Sequence, residues 1–283
     1  MDELYDDLKS IKFLIYILGA IVDWYLLCNG FFWFDNNKVT LKEFMPILLL
    51  FILFMIIIGC LSNFLLNFIA NKRLTKKFKL LENCKVKEFI EYYEKLLQKC
   101  ESIVNKKYLK YNLILNLSMG YIDYGKPEEA LKILLSIETI VFNSRKFNSK
   151  RYGNFFQILF YNNLVAAYLL EGNIEKSEEI LGKFKEILEN SNKVNKVLKI
   201  YYYDLYEEKE IIYNIKKQNY ENAEYFCNKK LKLSDTILHK VKNNYWLANI
   251  YIHFNDKEKA KSCIDYVLEN GGDTYYKKEF EKI

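Results

Sequence analysis

The sequence predicts an all-α protein in which a hairpin of two membrane-spanning helices precedes an array of paired amphipathic helices. Three observations lead to this prediction. Residues 47–60 are apolar without interruption, the 283 residues include only ten Gly and two Pro, and apolar residues recur every three to four positions after residue 71. Rare helix breakers favour a helical chain, and roughly 20 apolar residues in a helix cross a hydrocarbon core about 30 Å thick.

The first predicted membrane helix covers residues 11–34 and follows a short acidic segment, residues 1–10. Trp24, Trp33 and the aromatic residues beside Trp33 resemble the belt that aromatic side chains form at lipid headgroups. A rival interpretation ends this helix near Cys28 and leaves the aromatic cluster flat in the interface. The acidic start and the lack of a small-residue cleavage site argue against a cleavable signal.

The second predicted membrane helix covers residues 44–70, and a polar link at 35–43 joins it to the first. A basic cluster follows at once, within a predicted juxtamembrane helix at 71–82: Lys72, Arg73, Lys76, Lys77 and Lys79. Lys and Arg concentrate on the cytoplasmic side of membrane proteins. We therefore expect the N-terminus and the domain at 83–283 to be cytoplasmic, and the basic cluster to face anionic lipid.

Asp23 is the ionisable residue deepest in a predicted span. Such residues cost several kcal/mol and often mark function. It could bond Ser62 or Asn63 in the partner helix, or pair two copies in a homo-oligomer through the hairpin. A proton or ion role, or a shorter span that leaves Asp23 near the interface, are the other interpretations.

A repeated turn organises the rest of the chain. Segments 121–130, 168–177, 214–223 and 251–260 each end one helix on a turn residue and place a small residue five positions later. Gly or Asn accepts the left-handed conformation that ends a helix, and the small residue lets two helices approach closely. The turn residues are Gly125, Gly172, Gln218 and Asn255, and the small residues are Ala130, Ser177, Ala223 and Ala260.

This pattern resembles the tetratricopeptide repeat (TPR) family, best at residues 117–131, 164–177 and 247–260. The usual period is 34 residues, whereas the small residues here are 47, 46 and 37 positions apart. The third copy has Asn214 where an aromatic residue is usual, and the closing Pro of the family is missing. The sequence therefore resembles a divergent, long-helix member, and the resemblance implies a TPR-like α-solenoid over residues 83–283.

The resemblance also implies that the first helix of each repeat lines a concave groove that binds a protein or peptide partner. Asn side chains at several groove positions can donate to and accept from an extended peptide backbone. The abundance of Asn in this chain is a simpler explanation of the same pattern. The groove positions are Asn112, Asn116, Asn162, Asn163, Ala166, Glu208, Lys209, Ile212, Lys242, Tyr245, Trp246, Asn249 and His253.

Composition argues against several other functions. Residues 1–70 hold 4 basic and 7 acidic residues, which leaves 38 and 29, a net charge of +9, for the rest. Those charges are interleaved rather than clustered on one face, so we expect no nucleic-acid partner. Six scattered Cys and two His do not match a metal site, and no phosphate-binding or hydrolase motif occurs. We expect no catalytic residue, metal or cofactor.

Three functional hypotheses remain open at the level of sequence. The first is a membrane-anchored cytoplasmic adaptor, whose groove binds a segment of a membrane-associated partner. The second is an immunity or self-protection protein whose hairpin blocks a toxin or pore in the bilayer. The third is a peptide-sensing regulator, which the lack of a DNA-binding module weakens.

Overall fold

The computed structural model describes Leu53 and residues 77–101, 107–137, 155–190, 196–220 and 223–282. The chain divides into two compact units, Met1–Lys76 and Lys77–Ile283, and apart from Leu53 the described residues belong to the second. These residues form helices and turns, without a strand in the ranges given, so the all-α prediction is confirmed for them.

The prediction of two membrane helices falls almost wholly outside the described residues. So do Asp23, Lys72, Arg73 and Lys76. Among the helices that can be described, none has the length and apolar character needed to cross a bilayer.

Within the described ranges, a short helical stretch at residues 77–82 is followed by ten helices. In chain order they are α1 Val86–Glu101, α2 Lys107–Tyr124, α3 Pro127–Leu135, α4 Phe155–Glu171, α5 Ile174–Asn190, α6 Lys196–Lys216, α7 Ala223–Leu233, α8 Ile237–His253, α9 Lys257–Asn270 and α10 Tyr275–Phe280.

One helix is clearly shorter than its apolar pattern predicts. The pattern favours a helix to residue 142, but α3 ends at Leu135. Ser136 follows, and its hydroxyl donates to the Ile133 carbonyl at 2.6 Å. Ser side chains compete with helical hydrogen bonding in this way. At the start of α8, by contrast, Thr236 acts as an N-cap and accepts a hydrogen bond from the His239 amide.

The same backbone geometry recurs at every turn within a hairpin. Gly125, Gly172, Gln218 and Asn255 all have positive φ, between 59° and 88°. The next residue then donates its N–H to the carbonyl five positions back, at 2.8–2.9 Å. This is the bond that closes a helix at a left-handed residue. Cys84, before α1, has the same conformation, and the following Lys85 makes the same bond at 2.8 Å.

The small residues lie buried where the two helices of each hairpin meet. Ala130, Ser177, Ala223 and Ala260 are all at most 5% exposed. The hairpins are α2 with α3, α4 with α5, α6 with α7 and α8 with α9. A hydrogen bond is repeated as well: Tyr121 donates to Glu94 and Tyr251 donates to Glu224, each across 27 positions.

The first helices of neighbouring hairpins pack on one another, α2 on α4, α4 on α6 and α6 on α8. The second helices of neighbouring hairpins contact one another less than the first helices do. The four first helices therefore form an inner layer. The last helix, α10, contacts both α2 and α8. The inner layer is thus closed by the C-terminal helix, which brings the last hairpin back to the first.

Polar contacts hold this closure. The Asp273 carboxylate, just before α10, accepts the N–H groups of Val86 at 2.6 Å and Lys87 at 2.8 Å at the start of α1. The Asp273 N–H donates to the Cys84 carbonyl at 3.2 Å. Lys278 lies over the Tyr124 ring and donates to the carbonyl of the same residue at 3.2 Å. The C-terminal segment is therefore part of the fold.

Candidate functional site

Two connected spaces lie within the inner layer and beside it. The first, here called the inner cavity, has a volume of about 40 Å³ and is lined from α2, α4, α6, α8 and α10. Its polar lining consists of Asp123, Glu208, Lys209, Lys216, Lys242, Trp246 and Tyr276. The second, here called the cleft, has a volume of about 100 Å³ and lies between α6, α7 and α8.

The cleft is lined by charged side chains and by one exposed leucine. Asp204, Glu208, Lys230, His239 and Lys242 line it, and Lys230 forms a salt bridge with Asp204. Leu233, at the end of α7, also lines the cleft although it is 67% exposed. Glu208, Lys242 and Trp246 belong to both spaces.

Asp123 is the centre of a buried charge network. It is 2% exposed, near the C-terminal end of α2. Its carboxylate oxygen is 2.7 Å from Lys242 Nζ of α8 and accepts the Tyr276 hydroxyl of α10 at 3.2 Å. Removing one partner from such a buried pair leaves an uncompensated charge and costs about 3–5 kcal/mol. This network therefore fixes the position of three helices around the inner cavity.

A second pair lies on α6. Lys209 Nζ is 2.7 Å from Glu208 Oε1, and the Lys209 side chain is 7% exposed. Burial would raise the pKa of Glu208, but the ammonium groups of Lys209 and Lys242 outweigh it and lower the pKa to about 2. Glu208 is therefore a carboxylate at neutral pH.

The neighbouring groups keep their ordinary charge states at neutral pH. Burial would lower the pKa of Lys242, but the carboxylates of Asp123 and Glu208 attract its ammonium group and raise the pKa. Burial and the same two carboxylates raise the pKa of Tyr276 well above its ordinary value. Tyr276 therefore remains a hydrogen-bond donor to Asp123.

Six of the groove residues predicted from sequence line these two spaces: Ala166, Glu208, Lys209, Ile212, Lys242 and Trp246. The reason is helical periodicity. Residues 242 and 246 are four apart and share one face of α8, and residues 208 and 209 fall on the matching face of α6.

The predicted Asn residues instead bond within the protein. Asn163 donates to the Leu115 carbonyl at 2.8 Å and to the Ser118 hydroxyl at 3.0 Å, which ties α4 to α2. Asn162 donates to the Asn163 side chain at 3.0 Å. Asn116 donates to Asn112 at 3.4 Å, one turn away on α2. The Asn163 amide thus joins two helices of the inner layer, whereas the Asn116 and Asn162 bonds lie within one helix each.

The remaining groove predictions lie away from the cavity. The Tyr245 ring packs against Tyr276 and Phe280, each with ring centres 5.2 Å apart. Asn249 donates to the Tyr245 carbonyl at 2.7 Å. His253 is exposed and stacks on Tyr220 at 4.1 Å.

The sequence did not point to Asp123, Lys216 and Tyr276 of the inner cavity. It did not point to Leu233, or to Asp204, Lys230 and His239, of the cleft either. Lys216 could have been found, because it is seven positions after Lys209 and therefore on the same face of α6. Asp123 could have been noticed as a charge among apolar residues near the end of α2. Tyr276 gives no sequence signal, since its role depends on the return of α10 to α2.

Two of the described cysteines are buried and have thiol pKa values above the ordinary one. Burial, the largest cause, raises the pKa of Cys84 and Cys227 to about 12, so neither thiol is an activated nucleophile. Across the described ranges, no three His, Cys, Asp or Glu side chains are close enough to hold a metal ion.

Of the predicted basic cluster, Lys77 lies 4.8 Å from the centre of the Tyr92 ring, and Lys79 is exposed.

Comparison with known proteins identifies no relative of this chain. No protein-family model, curated protein or solved structure matches the chain.

Proposed function

We propose that this chain is a membrane-anchored cytoplasmic adaptor with a TPR-like α-solenoid, whose cleft binds a short segment of a protein partner. The hairpin at 11–70 anchors the chain, with both termini on the cytoplasmic side. The partner is membrane-associated, because tethering raises the effective concentration of the domain for proteins in the same bilayer.

One observation carries the binding proposal: Leu233 is an exposed apolar side chain at the edge of a cleft lined by charged residues. Protein interfaces combine an apolar anchor with polar groups that fix register. The Asp204–Lys230 salt bridge already arranges part of this lining, and Glu208 is paired with Lys209. Little ordering of these side chains is then needed when a segment binds.

The size of the site limits what can bind there. A cleft of about 100 Å³ and an inner cavity of about 40 Å³ admit one or two side chains. Helix α10 already packs between α2 and α8. A whole helix therefore does not enter the inner layer, and the partner contributes a short segment across the cleft.

The binding proposal is tested by affinity purification of the full chain from native membranes. The informative variant is Leu233→Asp, and the matched control is Tyr225→Asp. Both residues are on α7 and they are 67% and 69% exposed, but Tyr225 does not line the cleft. We expect recovery of the partner to fall about tenfold or more with L233D and to be unchanged with Y225D. Equal recovery of the partner with both variants would show that the partner does not bind at the cleft.

The anchoring proposal is tested separately by sedimentation of washed membranes at alkaline pH. The full chain is expected in the pellet until detergent is added. A chain that lacks residues 11–70 is expected in the supernatant. Protease added to intact cells is expected to leave the domain at 83–283 uncut. Cleavage of this domain would show that it lies outside the cell, opposite to the proposed orientation.

A further inference from the structure

A third space lies between the two helices of one hairpin, α6 and α7, and is here called the hairpin pocket. Its volume is about 230 Å³. Glu207, Glu210 and Asn214 line one side of it from α6, and Phe226 lines it from α7. None of its described lining residues lines the cleft or the inner cavity. The hairpin pocket is therefore separate from the site described above.

The hairpin pocket lies where large apolar side chains pack in the other hairpins. Four positions before the turn residue, the other hairpins have a tyrosine and α6 has Asn214. Eight positions before it, the other hairpins have a leucine that is at most 2% exposed, and α6 has Glu210. The residues of the other hairpins are Tyr121, Tyr168 and Tyr251 at the first position, and Leu117, Leu164 and Leu247 at the second.

These two replacements explain why the α6–α7 hairpin has an open space. Asn214 is smaller than tyrosine, and the charged Glu210 side chain is exposed instead of buried. The apolar contacts that close the other hairpins are then missing. In agreement, α6 and α7 contact one another less than the two helices of each other hairpin do. The pocket is thus a specific departure from the repeat.

The charge of the hairpin pocket is negative. No described residue that lines it is basic. Glu207 is 3.9 Å from Lys230, near the limit for a salt bridge. Within the described ranges, no cation forms a salt bridge with Glu210, and its carboxylate accepts the Tyr206 hydroxyl at 3.4 Å. Burial and the Glu210 charge raise the pKa of Tyr206 to about 12, so this donor is neutral and leaves the charge uncompensated.

We infer that the hairpin pocket binds an organic cation, an ammonium or guanidinium group on an aliphatic stem. The Glu207 and Glu210 carboxylates accept charge-assisted hydrogen bonds from the cationic head, and Ile211 and Phe226 pack against the stem. A cavity needs about 15 Å³ to admit one water molecule, so about 230 Å³ admits a chain of several heavy atoms. A basic side chain of a protein and a free polyamine share this chemistry.

The test is a titration of the full chain in detergent micelles, followed by ¹⁹F NMR. Para-fluorophenylalanine replaces Phe226 alone and gives a single reporter in the pocket lining. The cationic probes are Nα-acetyllysine amide and Nα-acetylarginine amide, which represent side chains, and spermidine, which represents free polyamines. Nα-acetylnorleucine amide has a similar stem without the charge.

We expect the fluorine signal to shift with at least one cationic probe and to stay fixed with the norleucine probe. A shift with the amino-acid probes assigns the pocket to a protein side chain, and a shift with spermidine alone assigns it to a free polyamine. A signal that moves with none of the cations, or equally with the norleucine probe, would overturn the inference.

Removing one charge tests the role of the carboxylates. Glu210→Gln keeps the shape of the side chain, and we expect it to weaken binding of the cationic probe roughly tenfold or more. The matched control is Glu186→Gln on α5, which is exposed and outside the pocket lining. We expect E186Q to leave the binding unchanged. Equal binding by E210Q and E186Q would contradict the assignment.

Restoring the residue of the other hairpins tests the pocket itself. Glu210→Leu introduces the leucine found at this position in the other three, and we expect it to fill the space and abolish the fluorine shift. Circular dichroism checks that the helices are retained. A cationic probe that still shifts the signal of a folded E210L variant would show that it binds elsewhere.

The pocket and the cleft can fail independently. Leu233 lines the cleft and does not line the pocket, so Leu233→Asp is expected to leave the fluorine shift unchanged. If no cation moves the signal but L233D reduces recovery of the partner, the cation site is wrong and the adaptor stands. If cations move the signal but L233D and Y225D recover the partner equally, the cation site stands and the partner does not bind at the cleft.

Discussion

The Tyr276 hydroxyl donates a hydrogen bond to the Asp123 carboxylate at 3.2 Å, across 153 positions of sequence. The same carboxylate is 2.7 Å from Lys242 Nζ. One buried acid thus joins the first hairpin, the last hairpin and the C-terminal helix. The inner cavity exists because these three elements meet there.

Asp123→Asn is expected to destabilise the protein by about 3–5 kcal/mol, because the buried Lys242 ammonium group loses its counter-charge. Urea unfolding monitored by circular dichroism measures the change. The control is Glu178→Gln, which breaks an exposed salt bridge with Lys217 and is expected to leave the free energy of unfolding nearly unchanged. Equal losses of stability in the two variants would show that the buried Asp123–Lys242 pair contributes no more than an exposed salt bridge.

Asp273→Ala is expected to cost about 1–2 kcal/mol. Its carboxylate caps two N–H groups at the start of α1, those of Val86 and Lys87. Asp265→Ala, at an exposed position on α9, is the control and is expected to change the free energy of unfolding by about 0.5 kcal/mol or less. A D273A variant as stable as D265A would mean that the C-terminal segment does not hold α1.

Two glycines in helices are expected to respond oppositely to alanine. A Cβ at Gly120 would come within 2.9 Å of the Phe89 ring, so Gly120→Ala should destabilise by about 1–3 kcal/mol. A Cβ at Gly182 would meet nothing within 4 Å, so Gly182→Ala should stabilise α5 by about 0.5–1 kcal/mol. Thermal unfolding separates the two, and a stabilising G120A would contradict the close packing of α1 on α2.

Glu208 is expected to make stability depend on pH. Its pKa is lowered from 4.5 to about 2 in the folded protein, so folding is favoured by its ionised form. That contribution is complete above pH 4.5 and is lost as the pH falls from about 4.5 to about 2. The difference in free energy of unfolding between the natural protein and Glu208→Gln should therefore shrink over this window. A difference that stays constant would argue against the Lys209 and Lys242 charges as its cause.

The sequence predicted local features far better than the return of the C-terminal helix α10 to α2. Helices and their turns depend on residues a few positions apart, which is why Gly125 and Asn255 mark turns that the structure also has. The position of α10 depends on how four hairpins stack, which no short window contains. The Asp123–Tyr276 bond was therefore missed, while the face of α8 that carries Lys242 and Trp246 was found.

The same limit explains the Asn residues. The resemblance to the repeat family placed Asn162 and Asn163 on the inner side of α4, and the structure buries both side chains. It could not show that α2 packs there and takes the Asn163 amide hydrogens at Leu115 and Ser118. Whether an inward polar side chain meets a ligand or a neighbouring helix depends on the stacking of hairpins.

The adaptor proposal is tested most directly by photo-crosslinking in native membranes. A photoreactive amino acid replaces Leu233 at the edge of the cleft in one sample and Tyr225, which is on α7 but does not line the cleft, in a second. We expect a discrete crosslinked product with a membrane-associated protein from position 233 and none from position 225. Identical crosslinking from the two positions, or none from position 233, would contradict the proposal that this cleft binds a partner.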